Sequence, residues 1–269
     1  MGAQYIASGE MSADQWREIL SPYQSIILVA NSDAAKDALT GAKTPGTLYI
    51  FFNEVFRVLD VPFREPAMLV VRSNQKGPVL KRKGGAQYVL DYFPEPSFLG
   101  VVNLRGASPE KPGEFDARPD CPVRLLDLVG YFDDFYPETH FPSSGFAMLV
   151  WLVELGLPAD IILAGFSAKR SERWRVHPVH DWTLEQITIE ALARAGKARR
   201  AEDAPARSFA AIAKRFPAIA ESDVNDAVTE VLSRRLDNAN DAIDRLYSVT
   251  KPMRAVDGWL QKLKAKRRS

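Results

Sequence analysis

Phe141-Pro142-Ser143-Ser144-Gly145 opens an apolar run, and a second run, Ile161 to Phe166, is followed by His177 and His180. Two hydroxyls and a glycine at the start of a helix suit an anion. The first backbone N–H groups there lack partners, the helix dipole favours negative charge, and glycine permits close approach. The competing explanation is a plain N-cap, which serine supplies in many helices. His177 and His180 are two of the chain's three histidines. With Glu185 five residues on, His180 falls just before a helix start near Asp181 or Trp182, and Glu185 falls about one turn in. A neutral imidazole there can take a proton from a hydroxyl; a surface or capping histidine is the bland alternative. His-x-x-His is a weak metal signal, and no His-Glu-x-x-His motif accompanies it.

Other polar residues collect after apolar runs. Asn31 and Ser32 follow Ser25 to Ala30, Asn53 follows Thr47 to Phe52, Arg72 follows Ala67 to Val71, and Asn103 follows Leu99 to Val102. Amide side chains donate and accept at once, which suits a nucleobase or a ribose. Turns also favour Asn and Ser for purely local reasons. Open α/β sheets bind ligands at the carboxyl ends of their strands, so a series of such endings points to a site. The Gly-rich dinucleotide fingerprint is missing after the first run, and a P-loop is missing throughout, which argues against NAD, FAD or ATP bound in their usual ways.

The elements that must carry these residues follow from the apolar pattern. Four short continuous runs read as buried strands, and Asn31-Ser32-Asp33 are placed to cap a helix from Ala34 to Leu39. Ser144 to Gly156 reads as a helix, Pro158 breaks it, Ile161 to Ala164 is a further strand, and Thr183 to Ala195 a further helix. Ser108 to Pro122, rich in Pro, Gly and charge, reads as an exposed loop. The predicted fold is α/β, a Rossmann-like, mostly parallel sheet with helices on both faces, over residues 1–200. From Ala201 the pattern is helical only. Val224, Val228, Val231, Leu236, Ala239, Ile243 and Leu246 form an amphipathic stripe, so 201–269 is read as a helical C-terminal region.

Composition limits the function classes. The 269 residues are 46% hydrophobic and 26% charged, ordinary for a globular chain with a sizeable core. Net charge is +1, which gives no global field for nucleic acid, and none is expected as a partner. The single cysteine, Cys121, excludes a disulfide framework within the chain. No apolar h-region opens the sequence and no run reaches the ~20 residues of a membrane span, so cytoplasmic residence is expected. The tail is basic: Lys251, Arg254, Lys262, Lys264, Lys266, Arg267 and Arg268 stand against Asp257, with Trp259, Leu260 and Leu263 among them. Such a stretch binds anionic lipid at about 1 kcal/mol per basic residue near the surface. A solvated terminus is the alternative.

In order and spacing, these residues resemble the sialyltransferase superfamily, glycosyltransferase families 29 and 42, over roughly residues 25 to 190. Ile26-Ile-Leu-Val-Ala-Asn-Ser32 resembles the start of the family's large motif, and Phe51-Phe52-Asn53 its second half. Pro142-Ser143-Ser144-Gly145 with Gly165-Phe166 is similar to the small motif, and His180-Asp-Trp-Thr-Leu-Glu185 to the very small motif, His-x4-Glu. The resemblance implies a glycosyltransferase A-like variant of the fold. The reaction it implies is an inverting, metal-independent transfer of an acidic sugar from a CMP-sugar, with no cofactor. Under it, Asn31, Ser32, Asn53, Ser143, Ser144 and Gly145 bind the CMP donor, and His180 is the general base, with Glu185 beside it. The vertebrate disulfide between the large and small motifs has no counterpart, since Ile26 and Pro158 stand at those positions. The family's phosphate-binding tyrosines have no clear match either. Lys169, Arg170, Arg173, Trp174 and Arg175 fill that loop, so Arg173, Arg175 and His177 become candidate phosphate or acceptor contacts.

The resulting expectation is a cytoplasmic, peripheral glycosyltransferase. Its donor is CMP-sialic acid, CMP-Kdo or a related ulosonate, and its acceptor is a glycan or glycolipid such as lipopolysaccharide or capsule. A transferase using another nucleotide sugar, or a non-catalytic nucleotide- or glycan-binding protein, fits the same residues less fully.

Overall fold

The computed structural model describes residues 11–41, 44–72, 84–108, 110, 121–166 and 179–201, and single positions from 220 to 236. The chain forms two compact units, Met1–Asp203 and Ala204–Ser269. In the second unit the described positions from 222 to 236 are helical. Most of the apolar stripe and the whole basic tail lie outside the described residues, as do Arg173, Arg175, His177 and most of the 108–122 loop.

Among its described residues the first unit has seven strands: β1 (Ser25–Val29), β2 (Thr47–Phe52), β3 (Ala67–Arg72), β4 (Phe98–Arg105), β5 (Val123–Asp127), β6 (Asp160–Ala164) and β7 (Arg199–Arg200). They lie in one sheet in the order β5-β4-β3-β2-β1-β6-β7. Every neighbouring pair is parallel. The expectation of a mostly parallel sheet is met by a wholly parallel one. β1 pairs with β2 on one side and β6 on the other, so the strand order reverses there. That is the topological switch point, where doubly wound sheets leave a crevice at their carboxyl ends.

Among the described residues of this unit the α-helices are α1 (Ala13–Leu20), α2 (Asp33–Thr40), α3 (Gly85–Leu90), α4 (Ser144–Leu155) and α5 (Trp182–Arg194). Alternate strand residues feed opposite cores. Ile26, Leu28, Leu48, Ile50, Met68 and Leu163 pack with Trp16 of α1, the apolar centre of α4 and Ile189 of α5. Val29, Tyr49, Phe51, Leu69, Val71 and Ala164 pack with Ala35 of α2 and Val89 and Leu90 of α3. Helices therefore cover both faces, which is why β2 and β3 are apolar without alternation. α4 is buried from Phe146 to Leu152, the behaviour of a helix that is hydrophobic all round.

Three differences from the sequence reading have local causes. β5 is passed over in the sequence because Arg124 and Asp127 interrupt its apolar run and three of its five residues are only half-buried. α1 is passed over too, although Ser12 and Gln15 form a capping box that announces it. α2 begins one residue early, at Asp33. Ser32 stands at its N-cap but makes no side-chain capping bond, contrary to the expected cap.

Candidate functional site

The carboxyl edge of the sheet carries two groups of polar side chains. The first follows β1, β2 and β3. Asn31 Nδ2 donates to the Phe52 carbonyl at 2.8 Å. Asn53 Oδ1 accepts the Arg72 N–H at 3.2 Å. Ser32 Oγ donates to the Gly165 carbonyl at 2.9 Å, across the switch point, which explains the missing cap on α2. Each of these residues ties the end of one strand to the next. Asn53 does so from a left-handed backbone (φ 46°), which asparagine tolerates better than most residues. Asn31 Oδ1 is buried and has no partner among the described residues. Gly165, at φ +76°, is packed so closely that a Cβ there would lie 2.2 Å from Ser32 Oγ.

Arg72 extends this row. It is 2% exposed. Its Nε donates to Glu110 Oε1 at 2.6 Å and its Nη1 to the Pro142 carbonyl at 2.5 Å, while the Gly106 N–H donates to Glu110 Oε2 at 2.7 Å. A buried ion pair thus anchors the turn immediately before Ser143. Reading Arg72 as one more polar strand ending misses this, because Glu110 and Pro142 are 38 and 70 residues away.

The second group joins the starts of α4 and α5. Ser143 is the N-cap of α4, and its Oγ accepts the Phe146 N–H at 3.2 Å. The same hydroxyl donates to Glu185 Oε2 at 2.7 Å, and the Ser143 N–H donates to Glu185 Oε1 at 2.7 Å. The anion at this helix start is therefore an internal carboxylate, and Ser143's two donors are directed to it. Ser144 and Gly145 are the first helical residues, whose N–H groups have no intrahelical acceptor. A Cβ on Gly145 would lie 2.5 Å from the Phe166 ring, so this corner holds the helix start against the end of β6.

Glu185 is 2% exposed. Burial pushes its carboxyl above the ordinary value of 4.5, opposed by the Ser143 and Tyr136 hydrogen bonds and by the Arg72 charge. Tyr136 Oη donates to Glu185 Oε1 at 2.9 Å. Burial first, and the Glu185 charge second, push the phenol well above its usual range, so it remains a donor. The sequence reading set Glu185 beside His180 as a catalytic group. The structure gives its oxygens to Ser143 and Tyr136, a supporting position. Tyr136 is absent from that reading; the aromatic-rich segment Tyr131-Phe-Asp-Asp-Phe-Tyr136 was its only signal.

His180 directly precedes Asp181, the N-cap of α5, whose side chain accepts the N–H groups of Thr183 and Leu184. His180 Nδ1 lies 2.6 Å from the Phe141 carbonyl oxygen. A carbonyl only accepts, so in the neutral ring the proton is on Nδ1 and the lone pair is on Nε2. Trp182 meets the ring edge-on, with centroids 5.2 Å apart. The Phe141 N–H in turn donates to the Val179 carbonyl at 2.9 Å, so the segments before α4 and α5 are fastened in both directions. Fixed N–H donors at one helix start and a basic imidazole nitrogen beside the next can together bind an anionic leaving group and remove a proton from a hydroxyl. Among the described residues, no three His, Cys, Asp or Glu side chains converge as a metal site. Among them, too, no helix is long and apolar enough to cross a membrane.

No family model and no curated protein matches the chain. Among solved structures it is similar to a mammalian sialyltransferase crystallised with Gal-β-1,3-GalNAc-ortho-nitrophenol. The identity is 14%, the match covers 74% of this chain and 76% of that one, and the TM-score is 0.42.

Proposed function

We propose that the protein is an inverting, metal-independent glycosyltransferase that moves an acidic sugar from a CMP-linked donor to a glycan hydroxyl. The observation that carries this reading is the bond between His180 Nδ1 and the Phe141 carbonyl, which makes Nε2 the basic nitrogen next to the start of α4. In this reaction the acceptor oxygen attacks the anomeric carbon, its proton passes to Nε2, and the bond from that carbon to the phosphate oxygen breaks. CMP leaves as an anion. The free N–H groups of Ser144 and Gly145 and the α4 dipole stabilise the charge that develops on the phosphate. Asn31 Oδ1, without a partner among the described residues, and the Asn53 amide nitrogen are the groups assigned to the nucleoside. Ser32 and Ser143 shape this seat through the bonds they already make. The donor sugar is a sialic acid, Kdo or related ulosonate, the acceptor a lipopolysaccharide or capsule glycan, and the location the cytoplasmic membrane face.

The test has two arms. A thermal-shift series is expected to show stabilisation by CMP and CDP, without added metal and without a UDP or GDP effect. Preference for UDP with Mn²⁺ sinks the CMP assignment, and no response to any nucleotide leaves a non-catalytic glycan-binding module. His180→Ala is expected to lower transfer by about 10²- to 10⁴-fold while CMP binding is kept. Unchanged turnover in that variant overturns the base assignment.

A further inference from the structure

One hydroxyl outside the motifs bonds the residue after the histidine and lies beside the carbonyl that holds its ring. Tyr136 is 6% exposed, and its ring packs on Phe132 and Phe146 in the core. Its Oη accepts the Asp181 N–H at 3.0 Å, and Asp181 is the residue after His180. It also lies 3.2 Å from the Phe141 carbonyl oxygen, the same oxygen that holds His180 Nδ1. The phenol has one proton and two acceptor sites. The Asp181 N–H uses an acceptor site. The proton goes to Glu185 Oε1, at 2.9 Å the closer and charged acceptor. That leaves the hydrogen on His180 Nδ1 as the close partner of Phe141.

We infer that Tyr136 is a positioning residue for His180, tying the backbone immediately after the histidine to Glu185. This rests on the reading of His180 as the base, and it assigns Tyr136 and Glu185 a role in aiming it. The charged and titratable groups facing the phenol are Glu185 and Asp181, with Arg72 acting on Glu185. Tyr136→Phe keeps the ring in the core and removes only the oxygen. The Asp181 N–H then lacks its acceptor, and Glu185 loses one donor.

The test uses the full chain labelled with ¹⁵N in its histidine rings. His140, His177 and His180 are assigned by single substitution, at about pH 8 where imidazoles are neutral. In the wild type, His180 is expected to be held in the Nδ1–H tautomer. In Tyr136→Phe it is expected to shift towards the mixture of a free imidazole. With a CMP-sugar and acceptor, kcat is expected to fall roughly 10- to 100-fold, with the donor KM within about twofold. An unchanged His180 tautomer in Tyr136→Phe overturns the inference even if transfer is confirmed. A shifted tautomer in a chain without transfer activity supports the positioning role and overturns only the functional reading. Should the variant not fold, amide exchange at Asp181 in the wild type decides. Protection comparable to the sheet supports the bond to Tyr136, and coil-like exchange overturns it.

Discussion

The row of side chains after β1, β2 and β3 and the junction of α4 with α5 use the same kinds of residue for different ends. Along the row, Asn31, Asn53 and Ser32 each satisfy a backbone group of the neighbouring strand or turn. Their partners are backbone atoms, present at the ends of any parallel strands, so the polar residues there are first of all stitching. At the junction, Ser143, Tyr136, Glu185 and His180 come from segments 39 to 49 residues apart and meet one another or the same carbonyl. A buried carboxylate sits at a helix N-terminus and, among the described residues, accepts from three donors. A polar residue at a strand end is weak evidence of chemistry. A convergent, satisfied polar network beside a histidine of defined tautomer is stronger evidence, because such networks are costly when incomplete.

The largest effect that tests this contrast is at Glu185. Glu185→Ala strands the Ser143 N–H, the Ser143 hydroxyl and the Tyr136 hydroxyl, each costing about 1–3 kcal/mol when buried and unpaired. A loss of about 3 kcal/mol or more in urea unfolding is expected; a loss below about 1 kcal/mol breaks the view of Glu185 as the network's centre. Gly165→Ala comes next. Its left-handed backbone costs an L-residue about 1–2 kcal/mol, and the new Cβ collides with Ser32 Oγ, which must move. The expected result is a loss above about 2 kcal/mol, together with weakened CMP binding because the switch-point corner shifts. Unchanged Tm in that variant refutes the close packing.

In the stitching row the expected losses are smaller. Asn53→Ala gives up one hydrogen bond and the tolerance for φ 46°, about 1–2 kcal/mol together, whereas Asn53→Gly keeps the backbone conformation and loses less. Neither variant is expected to change the His180 tautomer. A tautomer change in either merges the two regions into one unit and removes the contrast.

The smallest effect is in pH dependence. Glu185 has a carboxyl pKa raised by burial, so the folded state holds its proton more tightly than the unfolded state does. Stability linked to this group is full below the ordinary value of 4.5 and is lost as pH rises through the folded value. Wild-type stability is therefore expected to fall, relative to Glu185→Gln, over that window. A constant difference between the two across pH 4 to 7, by urea titration (roughly the carboxylate range), removes the raised carboxyl.

Much of the framework was legible from pattern alone. β2 was read to the residue, and α4 and α5 to within one, because buried parallel strands and a buried helix need uninterrupted apolar runs that few other arrangements explain. Edge strand β5 was not legible, since partial exposure admits charge into its run. In the site, the position of His180 just before a helix start was legible from local signals. The use of its Nδ1 was not, because the Phe141 carbonyl lies 39 residues earlier. Ser143 was legible as a cap and Glu185 as a first-turn acid, but nothing local says that each is the other's partner.

By itself, then, the amino-acid sequence determined the alternation of apolar strands and helices, the polar residues that end the strands, and the serine-glycine and histidine-glutamate pairs at two helix starts. These follow from periodicity and capping, which act within a few residues. Only the tertiary structure decided that Ser143 serves Glu185, that Arg72 grips Pro142 and Glu110, and that Tyr136 joins Glu185 to the segment carrying His180. Those pairings form between groups far apart in the chain. They are selected because a buried donor, acceptor or charge must find a partner once the sheet and its helices have excluded water.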